Sequence, residues 1–315
     1  MAITLTEARN LSQSKLTQYV IDEFRKSALL DLLTFDDTVK PQGGTTLAYV
    51  YNRVTTLPTA AVRAINSEYT PQEAKTTPYT VNLKILGGSF ELDRVIINDE
   101  KQVLDHVQFQ LDQKTQATIA LFHDLMINGD SGVDANEFDG LDKALTGSST
   151  EIIPAAAIDL STSTAIDNNW KTFLDLLRSA RAKLNGAPSV WLMNTDMFGK
   201  FQSVMDRAGI NLASKENYGT ETVQWGSAMV MALGDKPGSS DPIVETSSGE
   251  TSIYPIRLGL EGVHGVSPSG SALVQTFLPN LMQPGAVKKG EVEMVAAIAL
   301  KATRAAGAIR KIKIA

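Results

Sequence analysis

The groups that could do chemistry are a serine in a glycine-flanked turn, a cluster of acids beside it, and three histidines. Gly129-Asp130-Ser131-Gly132 matches part of the loop that presents the nucleophile of chymotrypsin-like hydrolases. That chemistry needs an imidazole base beside the hydroxyl. His123 lies on the segment just before the loop, too near in sequence for the usual partner, and Val133 stands where the motif carries a further glycine. The string therefore reads as a turn after a helix. Asp130, Asp134, Asn136, Glu137 and Asp139 offer oxygen ligands, but without the Asp-x-Asp-x-Asp-Gly order and closing glutamate of a calcium loop. A solvated acidic turn is expected. His106 and His123 are seventeen residues apart, close to five helical turns, so they cannot share one metal within a chain. With His264 in a glycine-flanked stretch, all three are expected as ordinary surface or interface histidines. There is no GxxxxGK[ST], GxGxxG, HExxH or GxSxG string. No catalytic, cofactor-binding or metal-binding residue is assigned.

Composition narrows the classes further. The 315 residues contain no cysteine, which excludes disulfide scaffolds, thiolate metal sites and cysteine nucleophiles. The net charge of −6 argues against a chain whose main task is to grip nucleic acid. The one basic concentration, Lys288, Lys289, Lys301, Arg304, Arg310, Lys311 and Lys313, is offset by Glu291 and Glu293 and reads as strand positions facing water or a partner. The start MAITLTEARNLSQSKLTQYV lacks the basic and apolar regions of a secretory signal, and no tract of about 18 apolar residues occurs. The chain is expected in a reducing cytoplasm, away from membranes.

These groups must be positioned by a recognisable succession of elements. Leu16, Val20, Phe24 and Leu29 or Leu30 recur at helical spacing and predict an amphipathic arm over residues 5–34. After PQGGTT, the run LAYVYNRVTTL has strand chemistry. Tyr79, Val81, Leu83 and Ile85 alternate with polar residues, Gly87-Gly88 suggest a bulge, and Phe90, Leu92 and Ile96 resume the alternation. Residues 45–97 thus predict one long two-stranded excursion, marginal alone in water. Asn98 and Asp99 cap an expected helix whose apolar positions run from Leu104 to Leu125 and which Gly129 ends as a left-handed stop. It would be a spine on the order of 45 Å long.

After a crossing segment at 146–163, Thr164 and Asp167 form a capping box for a helix closed by Asn185-Gly186. SVWLM follows as a buried strand, and Asn194 caps a helix bearing Met197, Phe201 and Val204. This is an α/β block. Beyond it come a strand at 229–233, a polar loop, a strand pair around 253–260 and 273–277, and two C-terminal strands joined across Arg304 to Gly307.

The order of an amphipathic arm, a projecting hairpin, a spine helix, Phe138-Asp139-Gly140-Leu141, the block containing SVWLMNTDMFGKF and a returning strand pair resembles the major capsid proteins of tailed phages, of Hong Kong 97 type. The resemblance covers essentially the whole chain. It implies an α+β fold: an N-terminal arm at 1–34, an extended loop at 35–97, a peripheral domain at 98–145 plus 271–315 with the spine, and an axial domain at 146–270. It implies self-assembly as hexamers and pentamers into an icosahedral phage head. That shell would enclose double-stranded DNA without sequence-specific binding, as a virion component assembled in the host cytoplasm.

Implied partners are further copies of the chain, a separate scaffolding protein, a portal and a decoration protein. A separate scaffold is expected because the arm starts at Met1 with no room for a cleaved scaffolding segment. Lys75, Lys84 and Asn280 lie in regions that some such proteins cross-link, but no matching motif surrounds them and no cross-link is assigned.

On this resemblance the subunit-interface residues are Tyr49, Tyr51, Arg53, Tyr79, Val81, Leu83, Lys84, Ile85, Phe90, Leu92 and Arg94. The hairpin's apolar face would be covered by a neighbour, so Phe90→Asp is expected to leave a folded subunit that forms no shells. Two other readings stand: an encapsulin-like nanocompartment with the same fold, and, from a different class, a hydrolase using Ser131.

Overall fold

The structure, a computed structural model, describes residues 29–39, 47–97, 106–217, 220–269 and 272–315. The arm helix lies outside these residues except for one turn, α1 (Leu29–Leu32). The proposed caps at Asn98 and Asp99 also lie outside them. The chain continues through β1 (Phe35–Val39), β2 (Ala48–Thr56), β3 (Lys75–Asn82), β4 (Lys84–Asp93), α2 (Arg94–Ile97), the spine α3 (His106–Asn128), α4 (Leu141–Leu145), β5 (Glu151–Ile152) and β6 (Ile158–Asp159). Then follow α5 (Ser163–Lys183), β7 (Val190–Met193), α6 (Thr195–Arg207), β8 (Ala213–Asn217), β9 (Thr220–Trp225), β10 (Ala228–Ala232), β11 (Glu250–Ile256), β12 (Val263–Pro268), β13 (Val274–Phe277), β14 (Val287–Leu300) and β15 (Ala308–Lys313).

Three sheets result. The first has five strands in the order β1-β12-β14-β13, with β4 also paired to β14. Its axis is β14. Lys288, Gly290, Val292 and Met294 are buried on alternate positions, and from Ala296 to Leu300 every residue is buried. The period of two marks a half-covered strand, and the continuous run marks one covered on both faces. Antiparallel to it, β4 pairs residue by residue from Asp93 opposite Val287 to Lys84 opposite Ala296. Phe90 faces Gly290, and the glycine is required there because a Cβ would lie 2.4 Å from the ring. The spine packs across β4 and β14, with Phe122, Leu125 and Met126 joining Leu86 and Met294 in one core.

The second sheet has eight strands, β5-β15-β11-β7-β10-β9-β8 with β6 also on β15. Its central strand β7 is wholly buried and feeds two cores. Val190 and Leu192 point into the core shared with the spine, while Trp191 and Met193 point into a second core with Phe173 and Leu177 of α5 and Phe201 and Val204 of α6. Asn194 caps α6 as its position predicts, accepting from the Met197 N–H at 2.7 Å. The cap of α5 is Thr162, which accepts from the Ala165 N–H at 3.1 Å, two residues before the expected capping box.

Several expectations are corrected by pairing partners remote in sequence. The excursion over 45–97 is not one hairpin: the third sheet, β2 with β3, has two strands and ends at Asn82, while β4 belongs to the five-stranded sheet. The two C-terminal strands go to different sheets, β14 to the first and β15 to the second, as do β13 and β11. His264 lies in β12 rather than in a turn, and all three histidines are buried rather than at the surface. Gly129 is a close-approach glycine rather than a left-handed stop, since a Cβ would lie 2.3 Å from the Phe138 carbonyl oxygen. Arg310 is mostly buried. Its Nε reaches Glu151 of β5 at 3.0 Å, and its other nitrogens bond Asp142 and the Tyr254 hydroxyl, tying α4 to the large sheet.

Phe90 therefore belongs to the subunit's own interior, where Phe90→Asp would bury an unpaired carboxylate and unfold the subunit rather than leave it intact. Phe90→Ala should cost about 3 kcal/mol or more in urea unfolding, whereas exposed Ile85→Ala on the same strand should cost about 0.5 kcal/mol or less. His123 gives a pH prediction. Burial lowers its imidazole from 6.5 to about 4, so between those values the unfolded chain binds the extra proton. Its contribution is complete above pH 6.5 and fades as the pH falls toward 4, by roughly 3 kcal/mol. His123→Phe should flatten the dependence of the urea midpoint on pH across that window.

Candidate subunit interface

The ribbon β2/β3 sorts its side chains by the strand period. Tyr49 pairs with Val81, Tyr51 with Tyr79 and Arg53 with Thr77 on one face, while Val50, Val54 and Thr80 lie on the other. The first face looks onto the subunit. Tyr49 is buried; its hydroxyl donates to Asp36 Oδ2 at 2.8 Å, and its ring meets His264 edge-on at 5.7 Å. Burial, then the hydrogen bond and charge of Asp36, push the Tyr49 phenol up to about 12. Burial and then the Lys301 charge hold His264 below the usual imidazole range.

Further out, the Tyr51 hydroxyl donates to the Leu300 carbonyl at 2.8 Å, and Arg53 donates to the Leu300 and Lys301 carbonyls at 2.6 and 3.0 Å. Tyr51 and Tyr79 stack at 5.8 Å. At the root the Leu83 N–H donates to the Leu47 carbonyl at 2.8 Å, and the Lys84 ammonium bonds the Ala135 carbonyl.

Beyond β2 the chain leaves the body's cover. Residues 57–74 carry no strand or helix, and Leu57, Val62, Ile65 and Tyr69 are 77%, 100%, 91% and 58% exposed. Among the described residues the tip is closed by local bonds, such as the Thr59 N–H to Gln72 Oε1 at 3.2 Å, and by Arg63 over the Tyr69 ring at 5.4 Å. A second uncovered patch lies at the other end of the five-stranded sheet, where Val95, Leu278, Met282 and Val287 are exposed.

The interface residues named from the sequence thus divide. Tyr49, Tyr51, Arg53, Tyr79 and Val81 come together on the ribbon's inner face, and Ile85 and Arg94 are exposed. The apolar area of Leu83, Phe90 and Leu92 is already covered within the chain, where the spine packs on β4 and the Phe90 ring lies against Gly290. Sequence reasoning missed the tip residues and the patch near Met282. Their only signal was apolar side chains in tracts with neither helical nor strand periodicity.

The serine loop has a different geometry from a hydrolase. The Ser131 hydroxyl donates to Asp139 Oδ1 at 2.6 Å rather than facing an imidazole, and His123 Nε2 is buried without a hydrogen-bond partner. The Lys143 ammonium lies 2.6 Å from Asp130 and 2.7 Å from Asp139, neutralising the acids that a cation would otherwise hold. Hydrogen bonds to those acids raise the Lys143 pKa, which keeps it a donor rather than a base. Among the described residues, no group of three or more histidines and acids is placed to hold a metal ion, and no helix is long and apolar enough to cross a membrane.

The chain matches no protein-family model and no curated protein. Solved structures match it from end to end. The holo-SrpI encapsulin complex from Synechococcus elongatus PCC 7942 superposes with a TM-score of 0.66 at 16% identity, over 99% of this chain and 97% of that one. The capsid of a native GTA particle gives 0.59 at 11% identity over 98% and 100% of the two chains. A structure of Mycobacterium phage Ogopogo gives 0.57 at 13% identity over 98% and 99%. With its ribbon, spine and two packed sheets, the chain has the Hong Kong 97-type capsid fold.

Proposed function

We propose that this chain is the major capsid protein of a phage-type head, assembling as hexamers and pentamers into an icosahedral shell around double-stranded DNA. The observation that carries this reading is the ribbon tip, whose Leu57, Val62 and Ile65 are exposed and find no cover among the described residues, on a fold whose matched structures include a capsid and an encapsulin complex. A patch that engages a different patch on the next copy is a heterologous contact, and such contacts form rings when the rotation between copies closes. The subunit's geometry is then its product. Tyr49, Tyr51 and Arg53 are held by their own subunit, so the interface proposed is the ribbon's outer face, with exposed Val50 and Val54, extended by the tip. A net charge of −6 suits a container that must not bind nucleic acid tightly. A scaffolding protein, a portal and a decoration protein are the further partners of a head.

A second reading has a specific observation behind it. The encapsulin complex superposes with a TM-score of 0.66, above the 0.59 and 0.57 of the GTA and Ogopogo structures. Particles purified from the source and treated with nuclease separate the two: protected double-stranded DNA supports the head, and a protein cargo without DNA supports the compartment.

Replacing residues 59–72 by an Asn-Gly turn should leave a folded subunit, because loop shortening changes stability little and the excised residues are exposed. Negative-stain microscopy should show at least about a ten-fold loss of closed particles, since the apolar contact that the tip brings to a neighbour is gone. Unchanged particle yield would contradict the ribbon's role.

A further inference from the structure

Resting on the assembly reading above, we infer that Arg53 is a positioning residue that latches the ribbon to its own subunit and so sets the angle at which it projects. A two-stranded sheet has no core of its own, so its direction must be fixed from outside. One strand supplies continuity: β3 runs into β4 through Leu83, and β4 is paired to β14 from Lys84 onward. Continuity at a single point is a hinge. Tyr49 on Asp36 and His264 holds the ribbon near that point, and a contact farther along the lever resists rotation with the greater moment.

Arg53 lies five residues beyond Ala48, about 17 Å along the ribbon at ordinary strand rise. Its guanidinium reaches the place where β14 ends and the chain turns toward β15. Nη2 donates to the Leu300 carbonyl at 2.6 Å, Nε to the Lys301 carbonyl at 3.0 Å and Nη1 to the Thr303 hydroxyl at 3.2 Å. Nη2 also donates to the Tyr51 hydroxyl at 3.3 Å, which itself donates to the Leu300 carbonyl. The opposite strand closes the clamp, because the guanidinium carbon sits 4.3 Å from the centre of the Tyr79 ring, stacked in turn on Tyr51.

Both ribbon strands and the end of β14 therefore meet on one planar cation. The fork presents several donors at fixed angles and stacks on an aromatic face, which a lysine cannot reproduce. A slip of 1 Å at that radius is a swing of only about 3°. The residue is half-buried and outside both hydrophobic cores, so its loss should free the lever without unfolding the sheets.

The absence of cysteine allows a direct test, since two introduced thiols are then the only labelling sites. Ala61→Cys on the tip and Glu261→Cys on the body, both exposed, carry spin labels in full-length chain diluted with unlabelled protein. Double electron–electron resonance should give one narrow distance in the otherwise native chain. Arg53→Ala should broaden it at least about two-fold, with Arg53→Lys in between, while the urea midpoint stays near that of the parent. Arg53→Ala should also turn uniform shells into mixed sizes and open sheets under the electron microscope. An unchanged distance distribution in Arg53→Ala overturns the latch, as does a broadened one accompanied by uniform shells. A parent chain with a narrow distance that forms no shells under any condition would uphold the latch and overturn the assembly reading.

Discussion

A ribbon of two strands can satisfy its backbone hydrogen bonds but cannot bury a face within itself. Everything distinctive in this fold answers that constraint. Near the root the inner face is covered by the subunit, through Tyr49 on His264 and Tyr51 and Arg53 on the end of β14. Past Thr56 none of the described residues covers the chain, and Leu57, Val62 and Ile65 are exposed. The subunit thus spends polar contacts on direction and leaves apolar contacts for another surface. Polar bonds with fixed geometry hold an angle well, and apolar area without fixed geometry suits association.

The anchor beneath the ribbon is β14. It pairs with β4, β12 and β13, carries the spine on one side, and ends in the carbonyls that receive Arg53. Close contacts at glycine support it: Gly290 admits the Phe90 ring on β14, and Gly265 of β12 admits the Phe35 ring of β1, where a Cβ would lie 2.3 Å away. The eight-stranded sheet is built on a strand buried on both sides, so that Val190 and Leu192 join the spine's core while Trp191 joins the core of α5 and α6. The two sheets share a core, and Arg310 ties the helix α4 to the eight-stranded sheet through Asp142.

Local signals were legible and remote partners were not. Asn194, the buried run Val190 to Met193, and the helix ending near Gly186 are written in residues close together in the chain, and the structure places each where the pattern predicts. The expected alternation from Tyr79 to Leu92 holds only in part. In β3 Val81 alone is half-covered, in β4 Leu86, Phe90 and Leu92 are buried while Ile85 is exposed, and no bulge breaks the pairing at Gly87-Gly88. Periodicity says that a strand has a covered face and not which element covers it. That is why Phe90 and Leu92 read as interface and are core. His264 was hidden for the same reason, since Gly262 and Gly265 look like turn residues until Phe35 is seen packing on one of them. The interface tip is legible only by default, as apolar residues that no periodic element claims.

In the proposed assembly the ribbon tip is covered by another copy of the chain. The most direct measurement is a cryo-electron microscopy reconstruction of the assembled particle at side-chain resolution. The account predicts Leu57, Val62 and Ile65 buried against a neighbouring subunit, with Arg53 still on the carbonyls of its own Leu300 and Lys301. A reconstruction with the tip folded over its own body, or standing free in solvent with the particle held together elsewhere, would contradict it.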